Sequence, residues 1–198
     1  MERSLPPWRQ VYSIVAIGGG DRHFSPMRKQ DLMSAKIDFS KVSFLVVDGD
    51  KISAQVVYDT LSYLGAIDVQ RVGKPEDAFR ILRNRQIDII ITEWRLRGMD
   101  GLEFLDSLRN STSSPNRFVP VIMLTAHSEQ RYVTTARDLG ITEFLAKPFN
   151  AKALYSRLVS SITRPRHFIN TPTYFGPDRR RRQTPFDGPD RRNTETRR

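Results

Sequence analysis

Five short apolar runs alternate with amphipathic stretches between residues 42 and 162, and this alternation constrains the fold more than any other feature of the chain. The runs cover residues 42–47, 66–72, 87–92, 120–124 and 143–146. Helical spacing fills the intervals. Val57, Leu61 and Leu64 recur over 50–64. Pro75 suits the first turn of a helix over 75–85. Leu102, Leu105 and Leu108 mark one over 101–110, and Tyr132, Ala136 and Leu139 mark one over 129–139, stopped by Gly140. Asn150 can cap a last helix carrying Leu154, Leu158 and Ile162. Strands apolar on both sides belong in a parallel sheet covered on both faces. The expected fold is therefore α/β, a doubly wound five-stranded parallel sheet. Its functional crevice should lie at the carboxyl ends of the strands.

Charge and composition divide the rest of the chain. The net charge is +10, and residues 164–198 alone contribute +6, from ten arginines against four acids and no lysine. That segment contains five prolines and few aliphatic residues. It cannot build a core of its own and is expected to be disordered. Residues 1–40 read as a disordered leader, with the folded domain over 41–163. Gly18-Gly19-Gly20 follows a short apolar run, but His23 stands where a phosphate-binding glycine loop needs its third glycine. Met33 lies just ahead of the ordered pattern, which suggests translation starting there. Cysteine is absent, which removes disulfides, thiolate metal sites and cysteine nucleophiles. No apolar run approaches the ~18 residues of a membrane span, and no secretory signal pattern is present. A cytoplasmic location follows as the expectation.

Chemistry-bearing residues stand at the strand ends. The first strand ends in Val47-Asp48-Gly49-Asp50. The third ends in Thr92-Glu93-Trp94, followed by Met99-Asp100-Gly101. The fourth ends in Leu124-Thr125-Ala126, and the fifth in Phe144-Leu145-Ala146-Lys147-Pro148-Phe149. In order and spacing these residues resemble the receiver domain of two-component response regulators, of the single-domain chemotaxis (CheY-like) kind. The resemblance covers about residues 41–163 and implies the strand order 2-1-3-4-5. It also implies a phospho-acceptor aspartate at position 93, Mg²⁺ held by acids at 48 and 49, phosphoryl-oxygen contacts from Thr125 and Lys147, and a switch aromatic at Phe144.

Two of those positions depart from the family. Glu93 replaces the acceptor, and Gly49 replaces an acid. The extra methylene of Glu93 displaces the nucleophilic oxygen, and phosphoryl transfer depends chiefly on positioning. Losing a carboxylate at position 49 weakens any metal site. The expectation is a degenerate acceptor pocket of Asp48, Gly49, Glu93, Thr125 and Lys147, without phosphorylation or Mg²⁺. Asp50 is expected to cap a helix, and Trp94 to pack. His127 stands apart from any cluster with metal-ligand spacing. No nucleophilic catalytic arrangement is visible, so an enzyme is not expected.

The tail contains a duplication. Tyr174-Phe175-Gly176-Pro177-Asp178-Arg179-Arg180 aligns twelve residues ahead of Phe186-Asp187-Gly188-Pro189-Asp190-Arg191-Arg192. Arginine forks match phosphate and the O6/N7 edge of guanine. A carboxylate can accept from guanine N–H groups, and an aromatic ring can stack on a base. One unit suits a guanine nucleotide, and two suit a ligand with two guanines and two phosphates. The tail resembles the arginine-rich extension of alphaproteobacterial receiver-like effectors that bind cyclic di-GMP. Asp178, Arg179, Arg180, Asp190, Arg191 and Arg192 are thus candidate nucleotide-binding residues. The resemblance implies a protein partner, such as the flagellar motor, on the face made by the fourth helix, fifth strand and fifth helix. Two alternatives stand beside it: a single-domain regulator in a phosphorelay, and a receiver with a nonspecific nucleic-acid-binding tail.

Overall fold

A computed structural model describes residues 37–126 and 129–179. Its strands are β1 (Ser43–Val47), β2 (Asp68–Val72), β3 (Ile89–Thr92), β4 (Val121–Thr125) and β5 (Glu143–Ala146). The helices are α1 (Lys51–Tyr63), α2 (Pro75–Asn84), α3 (Gly101–Asn110), α4 (Gln130–Asp138) and α5 (Ala151–Thr163). The sheet order is β2-β1-β3-β4-β5, with every pairing parallel. Its register sets Val46 opposite Ile91 and Met123 opposite Phe144.

The helix starts follow from local chemistry. Asp50 Oδ1 accepts from the Ile52 and Ser53 N–H groups at 2.8 and 3.0 Å. Asp100 and Glu103 form a reciprocal capping box on α3. Asn150 Oδ1 accepts from the Ala153 N–H at 2.8 Å. Each cap satisfies amide groups that the first helical turn leaves unpaired. The strands are narrower than the apolar runs that mark them, because residues such as Ala66 and Ile87 are buried in the loops that enter β2 and β3.

Both faces of the sheet are covered. Phe44, Val46, Ile89, Ile91, Ile122 and Leu124 pack against α1 and α5 on one side. Leu45, Val47, Ile90, Val121 and Met123 pack against α2, α3 and α4 on the other. Burial at about 25 cal/mol per Å² of apolar surface makes these two layers the main favourable term in folding.

Two expected boundaries move. Ile37 and Phe39 belong to the core, at 5% and 2% exposure, so the domain begins before residue 41. A 3-10 turn at Phe39–Lys41, capped by Asp38, seats Phe39 against Phe44 and Tyr155. The described part of the tail, residues 164–179, also takes a regular structure where disorder was expected. Phe168–Thr171 (β6) and Tyr174–Pro177 (β7) form an antiparallel hairpin. It needs no core of its own, since Phe168 and Phe175 stack on Phe118 of the domain. The leader before Ile37, including Gly18-Gly19-Gly20 and Met33, lies outside the described residues, as do His127 and everything beyond Arg179.

Candidate functional site

Topology brings the carboxyl ends of β1, β3, β4 and β5 together, and the expected pocket residues meet there. Lys147 stands at the centre. Its Nζ donates to Glu93 Oε2 at 2.5 Å, to Ser53 Oγ at 2.5 Å and to Asp48 Oδ2 at 3.2 Å. Ser53 Oγ in turn donates to the same Asp48 oxygen at 2.5 Å. The other Asp48 oxygen accepts the Asp50 N–H at 2.9 Å. The second Glu93 oxygen, Oε1, accepts the Trp94 N–H at 2.6 Å. Both oxygens of both carboxylates are therefore engaged. Lys147 is held at its backbone as well, where its N–H donates to the Thr125 carbonyl at 2.8 Å.

The remaining positions have definite places. Thr125 is fully buried at the end of β4. Phe144 is half-buried against the α2–α3–α4 layer. Trp94 is buried and meets Tyr132 edge-on, with ring centroids 4.9 Å apart, which is a packing contact. Asp50 caps α1. Its carboxyl is held below the usual range by the Ser53 and Ile52 N–H groups, with smaller contributions from Lys147 and Arg97. Gly101 permits the α3 start to approach the loop after Glu93, since a Cβ there would lie 2.3 Å from the Glu93 carbonyl oxygen. At Gly49 a Cβ would lie 3.4 Å from Arg97 Cγ and 3.5 Å from the Gly73 oxygen. A side chain fits at position 49, and the sequence supplies none.

The carboxylates at this end are committed within the protein. Mg²⁺ is usually held by one or two carboxylates together with waters and phosphate. Asp48 and Glu93 already share the Lys147 ammonium, and position 49 has no ligand. Among the described residues no cluster of three acidic or histidine side chains is placed to hold a metal.

Three residues escaped the reading of the sequence. Ser53 sits three positions past the Asp50 cap, so the first turn of α1 aims it into the crevice. Arg97 lies on the β3–α3 loop beside Gly49. Arg109 lies four residues after Leu105, on the buried side of α3, and is completely buried. That spacing was a signal, since an arginine on an apolar stripe needs partners. It finds three carbonyls: Nε donates to Gly140 at 3.1 Å, Nη1 to Arg117 at 2.8 Å and Nη2 to Val119 at 2.8 Å.

The candidate nucleotide residues divide. Arg179 lies 4.1 Å from the Tyr174 ring and pairs with Asp138 at 3.4 Å. The backbone of Asp178 is tied on both sides, its N–H to the His167 carbonyl and its carbonyl to Arg166 Nη1. Arg180, Asp190, Arg191 and Arg192 lie outside the described residues.

A parallel sheet in this order, with an acid, a threonine and a lysine converging at its carboxyl end, defines a receiver-type signalling domain. Residues 44–159 match the response regulator receiver domain family, and the chain belongs to it. The chemotaxis protein CheY1 of Helicobacter pylori is 31% identical over 120 residues, covering 59% of this chain and 94% of that protein. CheY-3 of Vibrio cholerae is 26% identical over 117 residues, covering 59% and 88%. The solved structure of the chemotaxis response regulator CheY4 of Vibrio cholerae superposes with a TM-score of 0.54 at 28% identity, over 59% of this chain and 95% of that one. A receiver domain of a sensor histidine kinase from Pseudomonas aeruginosa, solved with a magnesium ion coordinated in its active-site cleft, is similar at 27% identity and a TM-score of 0.54. Among the described residues no helix is long and apolar enough to cross a membrane.

Proposed function

We propose that this protein is a receiver-type signalling protein that acts by binding rather than by accepting a phosphoryl group. The observation carrying this reading is the closed network of Lys147, Glu93, Asp48 and Ser53. In phosphoryl transfer the attacking carboxylate oxygen must be free and in line, and a metal must neutralise the developing charge. Here Glu93 is held by Lys147 and the Trp94 N–H, and position 49 lacks its acid. The input is cyclic di-GMP, taken by the arginine-rich tail, whose duplicated Gly-Pro-Asp-Arg-Arg supplies forks for phosphate and guanine. The output is a protein partner on α4, β5 and α5, with β5 at the sheet edge. The chemotaxis names of the relatives support a partner at the flagellar motor.

Acetyl phosphate with Mg²⁺ tests the first half. Mass spectrometry should find no phosphoryl adduct on this chain, and Glu93→Asp combined with Gly49→Asp should restore one. An adduct on Glu93 would return the protein to a phosphorelay. Calorimetric titration with cyclic di-GMP tests the second half. Equal affinity for cyclic di-AMP, or tighter polyanion binding by Asp178→Asn and Asp190→Asn, would favour the nonspecific nucleic-acid reading.

A further inference from the structure

Away from the crevice, a hollow of about 340 Å³ lies between α2 and α3, at the small end of the range of ligand cavities. The sequence explains why it stays open. Glu76, Phe79 and Arg83 follow one another at spacings of three and four, so one stripe of α2 carries all three. The opposite wall is Ser107 on α3 with Ser111, Ser113 and Ser114 in the turn that follows it. Serines are too short to fill the space across from a glutamate and an arginine. Phe79 supplies the apolar lining, and Phe104 fixes its ring edge-on, with centroids 5.2 Å apart.

The polar groups of this hollow are uncommitted. Among the described residues, the side chains of Glu76, Arg83 and Ser107 make no hydrogen bond and no ion pair, whereas their helix neighbours Asp77 and Arg80 pair with each other. The remaining hydroxyls are held in place: Ser114 Oγ donates to the Leu108 carbonyl at 2.6 Å, and the Ser111 and Ser113 oxygens lie 2.9 Å apart. Glu76 stands in the first turn of α2 and Arg83 in its last, so the hollow has a negative end and a positive end. A neutral ligand would leave both charges unanswered, and a simple anion would face Glu76. Helix C-termini border the Arg83 end, which disfavours the double charge of a phosphate and leaves room for a single carboxylate. Along the axis α2 rises about 10.5 Å from Glu76 to Arg83. At roughly 3.5 Å per residue a free amino acid is too short to meet both, whereas a dipeptide of about 7 Å leaves a hydrogen-bond length at each end.

We propose that the α2–α3 hollow is a binding site for a small zwitterion of dipeptide length, its ammonium on Glu76, its carboxylate on Arg83 and the serine hydroxyls, and an apolar side chain against Phe79. The negative end adjoins the β3–α3 loop, where a Cβ at Gly98 would lie 3.7 Å from Glu76 Oε1. The same loop carries Arg97 over Gly49. The ligand therefore sits against a segment that borders the crevice, as an input separate from the tail and independent of what the tail binds.

Calorimetric titration of the full chain with L-alanyl-L-phenylalanine tests this, with no nucleotide present. One dipeptide should bind per chain. N-acetylation of the dipeptide, which removes the ammonium, and amidation, which removes the carboxylate, should each weaken binding by about tenfold or more, the scale of one charge-assisted hydrogen bond. Glu76→Leu and Arg83→Leu should do the same with the melting temperature unchanged, since neither side chain has a partner in the fold. Exchanging the two charges, Glu76→Arg with Arg83→Glu, should restore affinity, because the dipeptide can enter the other way round. Absence of binding by the full chain overturns the site. Equal binding of free phenylalanine, or of the blocked dipeptides, overturns its two-ended reading. Affinity untouched by both single substitutions places the dipeptide elsewhere and overturns the proposal as well.

Discussion

The two ends of the sheet each enclose a cation and neutralise it in opposite ways. At the carboxyl end Lys147 is surrounded by two carboxylates and a hydroxyl. At the amino end Arg109 is surrounded by carbonyls, with a phenyl ring above it, the Phe168 centroid 5.3 Å away. Lysine is a compact charge on a flexible stem, and arginine is a planar fork that spreads its charge over five donors. The first suits a pocket whose charges can be rearranged by a ligand or a substitution. The second suits a rigid joint, and its place at the end of α3, where helix carbonyls are unpaired, favours a cation. Burial pushes the Arg109 guanidinium down to about 9, opposed by Tyr174 and reinforced by Arg166. It stays charged at neutral pH. The comparison separates the crevice end of the domain from the end on which the hairpin packs.

That contrast can be broken by mutation. Arg109→Met should have the largest effect, about 3 kcal/mol in urea unfolding, because three carbonyls, two of them buried, lose their donor at once. Lys147→Met should cost less, about 2 kcal/mol. It leaves two carboxylates facing each other, but in a pocket open enough for water to relieve them. A larger loss at Lys147 than at Arg109 would reverse the assignment of pocket and joint. The smallest effect should come from Asp88, beneath β3, whose carboxylate accepts the Ser43 N–H at 2.9 Å. Burial raises its carboxyl above the usual value, against that hydrogen bond. Between the unfolded and folded values the native state binds more protons, so this group's contribution to stability falls as pH rises through that window. Asp88→Asn keeps the acceptor and removes the charge. It should flatten the acid side of the pH–stability curve and gain a few tenths of a kcal/mol at pH 7, measured by thermal melting across pH 4–7.

Much of the carboxyl end was legible before any coordinates. Apolar runs with period-two geometry and helical stretches with period 3.6 place Asp48, Glu93, Thr125 and Lys147 at strand ends, and a parallel sheet must gather strand ends into one crevice. Ser53 was less visible, because its role depends on how α1 is rotated over β1. The amino end was hardly legible. Phe168, Phe175 and Arg109 carry no periodic pattern that joins them, and the hairpin's own composition predicts disorder.

The sequence alone therefore determined the layered α/β fold and the residues that line its crevice. Both follow from local chemistry or from a spacing along the chain, whereas the departures at positions 49 and 93 are visible only through the resemblance to receiver domains. Tertiary structure decided that Lys147 closes on both carboxylates and that the first tail motif, through Phe175, belongs to the domain. Those outcomes depend on surface contributed by residues far away in the chain. Phe175 is buried only because Phe118 and Arg117 stand ready to cover it, and no property of the tail itself encodes their position.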